Sequence, residues 1–244
     1  MKITALLLGL GFASGFRFSP LNNKKVAWGT TIGHSKWRIS PLAYDQGIGG
    51  GCNSIESPSK INMLPVKEQQ RHVWKACAAM AVGTVALLSL FHSLEQSNEY
   101  FRLWQLSWPL LGPIFMLAGY THFTLKNDYE NIYPQADAWG LWNVPFSAEF
   151  HVMWTGLAEI FGGGALVCGA LISYATQGNN ATLLHQAATI LFLLTIIVTP
   201  ANIFMWTHGA RLPMSQPSPP VVFHYARFFF QSLLLAMFAS MALN

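Results

Sequence analysis

Residues 152–175 read VMWTGLAEIFGGGALVCGALISYA, an apolar run of membrane-spanning length that nevertheless contains a carboxylic acid, Glu159. A helix needs about 20 apolar residues to cross the hydrocarbon core of a bilayer. An ionisable side chain in such a helix costs about 2.5–3.5 kcal/mol on insertion scales, so it normally faces the interior of a helix bundle and has a partner there. This segment therefore predicts an integral membrane protein with a polar centre.

Four other segments have similar length and apolar character, and each is predicted to form a transmembrane helix. The fold class that follows is all-α, a polytopic membrane helix bundle with five transmembrane helices, since a helix satisfies its own backbone hydrogen bonds in lipid. Pro109 and Pro113 should kink the second helix. The predicted spans are residues 73–93, 104–125, 152–175, 184–206 and 221–243.

The composition agrees with a membrane protein, because 52% of the 244 residues are hydrophobic and only 10% are charged. A soluble domain has about 25% charged residues. The formal net charge of +4 is unevenly distributed: ten of the fourteen basic residues, but only three of the ten acidic residues, fall in residues 1–75. The basic character thus belongs to the N-terminal segment. We predict a lipid bilayer as partner and no binding of nucleic acid.

The N-terminal segment has the features of a targeting sequence. In residues 1–15, Lys2 precedes a short apolar core that ends in small residues, as in a secretory signal peptide. Residues 16–60 are basic, poor in acids and irregular, which is typical of a disordered transit peptide. The junction with Phe16 and Pro20 resembles bipartite presequences of algae with complex plastids of red origin. This implies a plastid membrane, thylakoid or inner envelope; an ordinary signal peptide with a disordered luminal tail is the alternative.

Lysine and arginine residues near the predicted helix ends indicate the orientation, since they are enriched on the cytoplasmic side of a membrane. The stroma is the equivalent side in a plastid. One side of the predicted bundle has only Arg102 near its helix ends. We therefore expect a stromal mature N-terminus and a C-terminus on the opposite side. The basic residues on the predicted stromal side are Lys60, Lys67, Arg71, Lys75, Lys126 and Arg211.

Polar residues recur at helical spacing near those ends of the predicted helices that should meet on one side of the membrane. A polar stripe on a membrane helix should face away from lipid. Three such stripes at similar depth predict a polar cavity in one leaflet, and this is the central functional prediction. The candidate pocket residues are His122, Glu159, Asn202, His224, Arg227 and Gln231.

Glu159 and Arg227 are the natural ion pair in this cavity, because each would otherwise be a lone charge in a medium of low dielectric constant. Asn202 follows Pro200, which has no N–H group and so frees a carbonyl of the preceding turn. The Asn202 amide should satisfy that carbonyl or donate to a ligand.

Motifs in the last four predicted helices resemble the DoxX-like family of small membrane proteins. They are G-x-x-H-F from Gly119 to Phe123, Tyr133–Pro134 in a long loop, G-x-x-E-x-x-G-G from Gly156 to Gly163, P-A-N-x-x-M from Pro200 to Met205, and R-x-x-x-Q from Arg227 to Gln231. The resemblance covers residues 104–243. It implies that residues 104–244 form a four-helix DoxX-like domain and that residues 61–103 add one transmembrane helix and a linker.

The family takes its name from a membrane subunit associated with an archaeal quinol oxidase and thiosulfate–quinone oxidoreduction. The resemblance therefore implies quinone-linked redox work, with a quinone as the possible cofactor. It supplies no catalytic residues and leaves open whether the protein is an enzyme.

The polar residues allow two interpretations. They could form a clamp that fixes the helix register, since polar pairs in membranes contribute about 0.6 kcal/mol each to packing. Alternatively, they could form a head-group site in which Arg227 or His122 donates to a quinone carbonyl and Glu159 relays a proton. Quinone chemistry needs a donor for each carbonyl, a titratable group and an apolar slot, and the sequence supplies all three.

Other cofactors lack a signature in the sequence. There is no H-x-x-x-H or H-E-x-x-H pattern, and His151 and His208 are expected at the membrane interface, so we predict neither haem nor a metal site. Cys52, Cys77 and Cys168 form no C-x-x-C pair. Three function classes follow: an accessory redox subunit that binds quinone, a non-enzymatic scaffold subunit of a photosynthetic or respiratory complex, and a carrier of a small solute.

Overall fold

The computed structural model of the protein describes residues 57–211 and 219–243, so the predicted signal peptide and most of the predicted transit segment lie outside it. Within these ranges all regular secondary structure is helical, which confirms the all-α prediction. Short 3-10 turns occur at Ile61–Met63, Trp108–Leu110 and Ala138–Gly140. The α-helices are α1 (Val66–Ser97), α2 (Glu99–Gln105), α3 (Leu111–Thr124), α4 (Lys126–Ile132), α5 (Ala148–Ala175), α6 (Thr182–Ile197), α7 (Thr199–His208) and α8 (Val221–Leu243).

Four helical segments are long and apolar enough to cross a membrane, as expected of a protein embedded in a bilayer. They are α1, α5, the continuous pair α6–α7 and α8. The pair α6–α7 is interrupted at Val198, because Pro200 is the second residue of α7 and has no N–H group to continue the ladder.

The predicted span at residues 104–125 is not one long helix, and the predicted kink is instead a break. The 3-10 turn that contains Pro109 separates α2 from α3, whereas Pro113 lies in the first turn of α3, where proline is tolerated. With 14 residues, α3 is about 21 Å long at 1.5 Å per residue. It is therefore shorter than a hydrocarbon core of about 30 Å.

α3 packs antiparallel against α5 through two pairs of glycines. A Cβ atom added at Gly112 would lie 2.5 Å from the carbonyl oxygen of Gly163, and one added at Gly119 would lie 2.5 Å from that of Gly156. Only glycine permits this approach of two backbones. The contact places the end of α3, with His122, directly against the start of α5.

A second face of α5 packs against α6, again at glycines. A Cβ at Gly162 would lie 2.8 Å from Leu191 Cδ2, and one at Gly169 would lie 2.4 Å from the backbone nitrogen of Leu184. The small residues of α5 thus serve two neighbours, one on each face. This arrangement fixes α5 in the middle of the bundle between α3 and α6.

α1 and α8 run parallel to each other and begin at the same end of the bundle. Ser232 Oγ of α8 donates to the Met80 carbonyl of α1 at 3.3 Å, and the rings of His72 and Trp206 meet at 6.0 Å. We call this end, where α3 and α7 finish and α1, α5 and α8 begin, the site end. The opposite end is the far end.

The far end is closed by an aromatic cluster. Phe91, Phe101, Trp104 and Trp108 lie with ring centroids 5.2–6.2 Å apart. Trp108 is only 2% exposed and belongs to a core that continues through α6 and α8. Among the described residues, none of the buried side chains at the far end is ionisable.

The site end is closed by the segment that precedes α1 and by the loop between α4 and α5. Ser59 Oγ donates to the Trp206 carbonyl at 2.6 Å, and Trp139 Nε1 donates to Thr207 Oγ1 at 2.9 Å. His208 is consequently buried, with its ring stacked on Phe204 at 4.4 Å. These two segments cover the end of α7, and the predicted position of His208 at the membrane interface stays a prediction.

Candidate functional site

A cavity of about 320 Å³ lies at the site end, where the predicted polar cavity was expected. Helices α3 to α8 and the loop after α4 all contribute to its wall. The lining is mostly apolar and aromatic. The lining residues are His122, Tyr129, Ile132, Tyr133, Pro134, Trp142, Val144, His151, Val152, Trp154, Thr155, Glu159, Ile197, Val198, Pro200, Ala201, Asn202 and Arg227.

His122 and Glu159 form one polar group of the wall. His122 Nε2 lies 3.5 Å from Glu159 Oε2, and both side chains are buried. The glycine contact between α3 and α5 causes this meeting, since a Cβ at Gly156 would lie 2.7 Å from His122 Cβ. Glu159 Oε2 has no hydrogen-bond partner among the described residues.

Hydrogen bonding assigns the protons of this pair. His122 Nδ1 lies 2.9 Å from the Val152 carbonyl, which only accepts, so Nδ1 carries a proton. Nε2 then either presents its lone pair to a protonated Glu159 or, as imidazolium, donates toward the carboxylate. One proton between Nε2 and Oε2 makes the pair neutral, and loss of that proton leaves a negative charge on Glu159.

Two phenols and an indole supply further polar groups. The Tyr129 ring lies over the His122 imidazole at 3.9 Å, and its hydroxyl bonds Thr121 Oγ1 at 2.7 Å. Burial raises the pKa of Tyr129, and the charge of Glu159 raises it further against the lowering effect of Thr121. Burial likewise raises the pKa of Tyr133, and Trp142 offsets part of that rise. Both phenols therefore stay protonated.

The Tyr133 hydroxyl, Trp142 Nε1 and Glu159 Oε2 are buried and make no well-formed hydrogen bond in the described part of the chain, although Trp142 is near enough to Tyr133 to lower its pKa and His122 Nε2 lies 3.5 Å from Glu159 Oε2. Buried polar atoms are normally hydrogen-bonded, and an exception needs an explanation such as a bound molecule. All three residues line the same cavity. The cavity wall therefore has unused hydrogen-bonding capacity of both kinds, donor and acceptor.

Arg227 and Asn202 form the second polar group of the wall. One guanidinium N–H donates to Asn202 Oδ1, and another lies 2.9 Å from Met205 Sδ. No carboxylate within residues 57–211 or 219–243 forms an ion pair with Arg227. The predicted Glu159–Arg227 ion pair is therefore wrong, because the close approach of α3 and α5 gives Glu159 a histidine partner instead.

A chain of amides anchors Arg227 to α6. Asn202 Nδ2 donates to Gln231 Oε1 at 2.9 Å, and Gln231 Nε2 donates to Thr199 Oγ1 at 2.5 Å and to the Thr195 carbonyl at 3.1 Å. An arginine only donates, so Asn202 must turn its oxygen toward Arg227 and its nitrogen toward Gln231. Each amide orientation in the chain is thus set by the arginine.

Near the break before Pro200, Asn202 Nδ2 donates to Gln231 and has no bond to a backbone carbonyl among the described residues. Gln231, and not Asn202, donates to a backbone carbonyl there, that of Thr195. Asn202 instead links Gln231 to Arg227. The Asn202 side chain is therefore committed to positioning the guanidinium.

The structure brings four of the six predicted pocket residues to the cavity wall: His122, Glu159, Asn202 and Arg227. Gln231 lies behind Asn202 in the amide chain. His224 is 2% exposed, with Nδ1 unpartnered among the described residues, and does not line the cavity.

Tyr129, Tyr133, Trp142 and Thr155 also line the cavity but were not among the candidate pocket residues; Tyr133 entered the sequence analysis only through the Tyr133–Pro134 motif. Three of them belong to α4 or to the loop after it, where no hydrophobic periodicity marks a buried face. The concentration of tyrosine and tryptophan in that loop was the available signal, because such side chains carry a polar atom on an apolar body.

Across residues 57–211 and 219–243, no three histidine, cysteine, aspartate or glutamate side chains are grouped in a way that could hold a metal ion. No protein-family model matches the chain, and neither a curated protein nor a solved structure matches it. The resemblance to the DoxX-like family accordingly depends on the sequence motifs alone.

Proposed function

We propose that the protein binds the ring of a quinone in this cavity and acts as an accessory subunit of a quinone-linked redox complex. The observation that carries the proposal is one apolar cavity with two separate polar groups in its wall, His122–Glu159 and Arg227–Asn202. A quinone presents the matching pattern, an apolar ring with one carbonyl oxygen on each side.

The size of the cavity supports a ring ligand. Pockets for small molecules have volumes of about 300–1,000 Å³, with apolar walls and a few polar groups that fix orientation. At about 320 Å³, the cavity suits one or two fused rings, and an isoprenoid tail would extend from it into lipid. The aromatic residues of the wall, Tyr129, Tyr133, Trp142 and Trp154, offer flat surfaces for such a ring.

Each polar group has a chemical role in the proposal. Arg227, held by Asn202, donates to one carbonyl oxygen. The His122–Glu159 pair faces the other carbonyl and carries the proton that a reduced ring gains or loses. Tyr133 and Trp142 are further donors whose hydrogen-bonding capacity is unused within the described residues.

The membrane topology in this proposal has five crossings, with α3 as the fifth. The 3-10 turn and α3 together extend from Trp108 beside Phe91 at the far end to His122 at the site end. The exposed basic residues Lys60, Lys67, Arg71 and Lys75 lie at the site end, so the positive-inside rule orients this end toward the stroma of a plastid. The thylakoid or inner envelope, predicted from the leader, is the membrane we propose.

The partner subunits of the complex would contact α1. This helix packs along α8 but leaves most of its apolar surface uncovered. Photocrosslinkers at Val82 on α1 and at Leu117 on α3, which are 69% and 66% exposed, would test this surface. Adducts with a specific protein from Val82 alone are expected; equal labelling from both positions would indicate lipid exposure without a partner.

The first test of quinone binding is gentle purification of the full chain from its native membrane, followed by solvent extraction and quantification of quinones. We expect near-stoichiometric quinone, lost in Arg227→Met. The matched control is Arg102→Met, which removes an exposed arginine at the far end and should retain the quinone.

Quinone-free protein that co-purifies with a defined membrane complex would overturn the ligand proposal and favour the scaffold function. Quinone retained equally by wild type and by Arg227→Met would show that the bound quinone is outside this cavity.

A further inference from the structure

We propose that the Arg227–Asn202 side of the cavity is an anion site, so that the protein binds an ionised ring more tightly than its neutral counterpart. The inference deepens the proposed function and rests on it, because it specifies the charge of the ring. The charge in question is on the ring oxygen atom of the ligand that contacts Arg227.

The first step is the isolation of the Arg227 charge. Within the described residues its guanidinium makes two contacts, with Asn202 Oδ1 and Met205 Sδ, and none with a carboxylate. An amide oxygen and a thioether are neutral, and sulfur is a weak acceptor. Three of the five guanidinium N–H groups have no partner in the described ranges.

The second step is the charge of everything else that faces the cavity. The neighbouring helix α7 contributes Asn202 and no ionisable group. Glu159, the one carboxyl group among the described lining residues, lies beside His122 at 3.5 Å and makes no ion pair with Arg227. Both ring nitrogens of His151 are hydrogen-bonded, to Pro145 and Trp154. The titratable groups that line the cavity are His122, Tyr129, Tyr133, His151, Glu159 and Arg227.

The third step follows from these two. Among the described lining residues, Arg227 therefore has a positive charge that no carboxylate in direct contact neutralises. Charges that are partly removed from water are usually paired, and the Arg227 side chain is half-buried. The amide chain from Thr195 through Gln231 to Asn202 holds the guanidinium in place, which makes it a preformed donor for an anionic oxygen.

The anion that fits is a ring hydroxyl that ionises near neutral pH, as in a hydroxyquinone. Its negative oxygen would take the free Arg227 N–H groups, and the opposite carbonyl would meet the donors of the His122 side. Hydrogen bonds to charged groups contribute more than neutral ones. The expected preference for the ionised ring is about tenfold to a hundredfold in dissociation constant.

Isothermal titration calorimetry on the full chain in lipid nanodiscs tests the inference. The probes are 2-hydroxy-1,4-naphthoquinone, which is ionised at neutral pH, and 2-methyl-1,4-naphthoquinone, which is neutral and has the same rings. We expect tighter binding of the hydroxy probe. Arg227→Met should remove the difference, and Arg227→Lys should keep part of it.

The visible absorbance of the hydroxy probe gives a second measurement, since its anion absorbs light that the neutral form does not. Bound to the wild type, the probe should stay ionised to a lower pH than in buffer. Asn202→Asp supplies Arg227 with an internal carboxylate, so it should abolish the preference even if Arg227→Met fails to fold.

The outcomes separate this inference from the proposed function. Equal binding of both probes, or tighter binding of the methyl probe, overturns the anion site and leaves quinone binding standing. Dodecanoate, an anionic oxygen on an apolar chain, is the third probe. If dodecanoate binds in an Arg227-dependent way and neither naphthoquinone binds, the anion site is supported and the ring ligand is overturned. Failure of all three probes to bind overturns both.

Discussion

The two ends of the bundle differ in what they bury. The far end is filled by the rings of Phe91, Phe101, Trp104 and Trp108. The site end contains His122, Glu159, His208 and His224 among its buried residues, covered by loops. Within the described residues, the buried ionisable side chains are thus confined to the site end. A polar passage from the cavity to the far end would have to cross this aromatic cluster.

The largest expected effect comes from a substitution that disrupts the aromatic cluster at the far end. Trp108→Ala should lower the free energy of unfolding by about 3–5 kcal/mol, because it removes a large buried side chain and leaves a cavity. Trp104→Ala, with the side chain 44% exposed, should cost less. Folded Trp108→Ala should still bind 2-methyl-1,4-naphthoquinone. Denaturation in mixed micelles and calorimetry measure the two quantities; lost binding in folded protein would contradict the separation of the two ends.

The next prediction concerns the contact that builds the site end. In Gly156→Ala the added methyl would lie 2.7 Å from His122 Cβ and 3.0 Å from the Gly119 oxygen. Overpacking costs about 1–3 kcal/mol, and the displaced His122 should weaken ring binding. Gly164→Ala is the control, because the nearest atom, Met116 Sδ, is 4.0 Å away; its thermal midpoint should not fall. Full ring binding by Gly156→Ala would show that His122 is not part of the site.

Double-mutant cycles sharpen the assignment of partners within the site end. His122→Phe and Glu159→Gln should be non-additive in the free energy of unfolding, with a coupling of about 0.5–3 kcal/mol, because the two side chains are in contact. Glu159→Gln and Arg227→Met should be nearly additive. The reverse pattern would restore the ion pair that the sequence predicted.

The smallest effect is expected at the exposed rim of the site end. Lys126 bonds Glu149 and lies 3.8 Å from Glu130. The hydrogen bond that Lys126 donates to Glu149, followed by the charges of both acids, raises the pKa of Lys126 above its ordinary value of 10.5. The stabilisation is complete below that value and is lost as pH rises through the raised pKa.

Lys126→Met should therefore lower the thermal midpoint slightly at neutral pH, and the difference from wild type should vanish in strong alkali. Arg71→Met, which removes a similar exposed pair with Glu68, is the matched control. A difference that persists in alkali would mean that lost packing, and not lost charge, explains the effect.

Much of the fold was predictable because the lengths of the apolar segments and the alternating directions of successive helices follow directly from the sequence. They gave the four long helices and the meeting of polar groups at one end. The break before α3 was predicted only as a kink, since the sequence does not show that a 3-10 turn would hold Pro109. His122, Glu159, Asn202 and Arg227 were identifiable because an ionisable or amide group in an apolar segment is conspicuous.

The partners of these residues were not predictable. Helical spacing gives the face on which Glu159 lies, but the distance to a partner depends on how closely two helices approach. The glycine contacts between α3 and α5 bring His122, and not Arg227, next to Glu159. Tyr133 and Trp142 belong to a loop, where side-chain direction follows from turn geometry and not from period.

The spacing of the glycines has a consequence for how this protein tolerates change. Gly112 and Gly119 are seven residues apart, as are Gly156 and Gly163. The two pairs of glycines on α3 and α5 therefore face each other at the same spacing along both helices. Sliding one helix along the other by a single residue would place a side chain against the backbone that a glycine now faces. The register of α3 against α5 can therefore shift only by a full glycine spacing or not at all. Insertions in the loop between α3 and α5 should leave His122 and Glu159 at the same height in the bundle. Substitutions of these two residues would then change the chemistry of the site without changing the positions of its side chains.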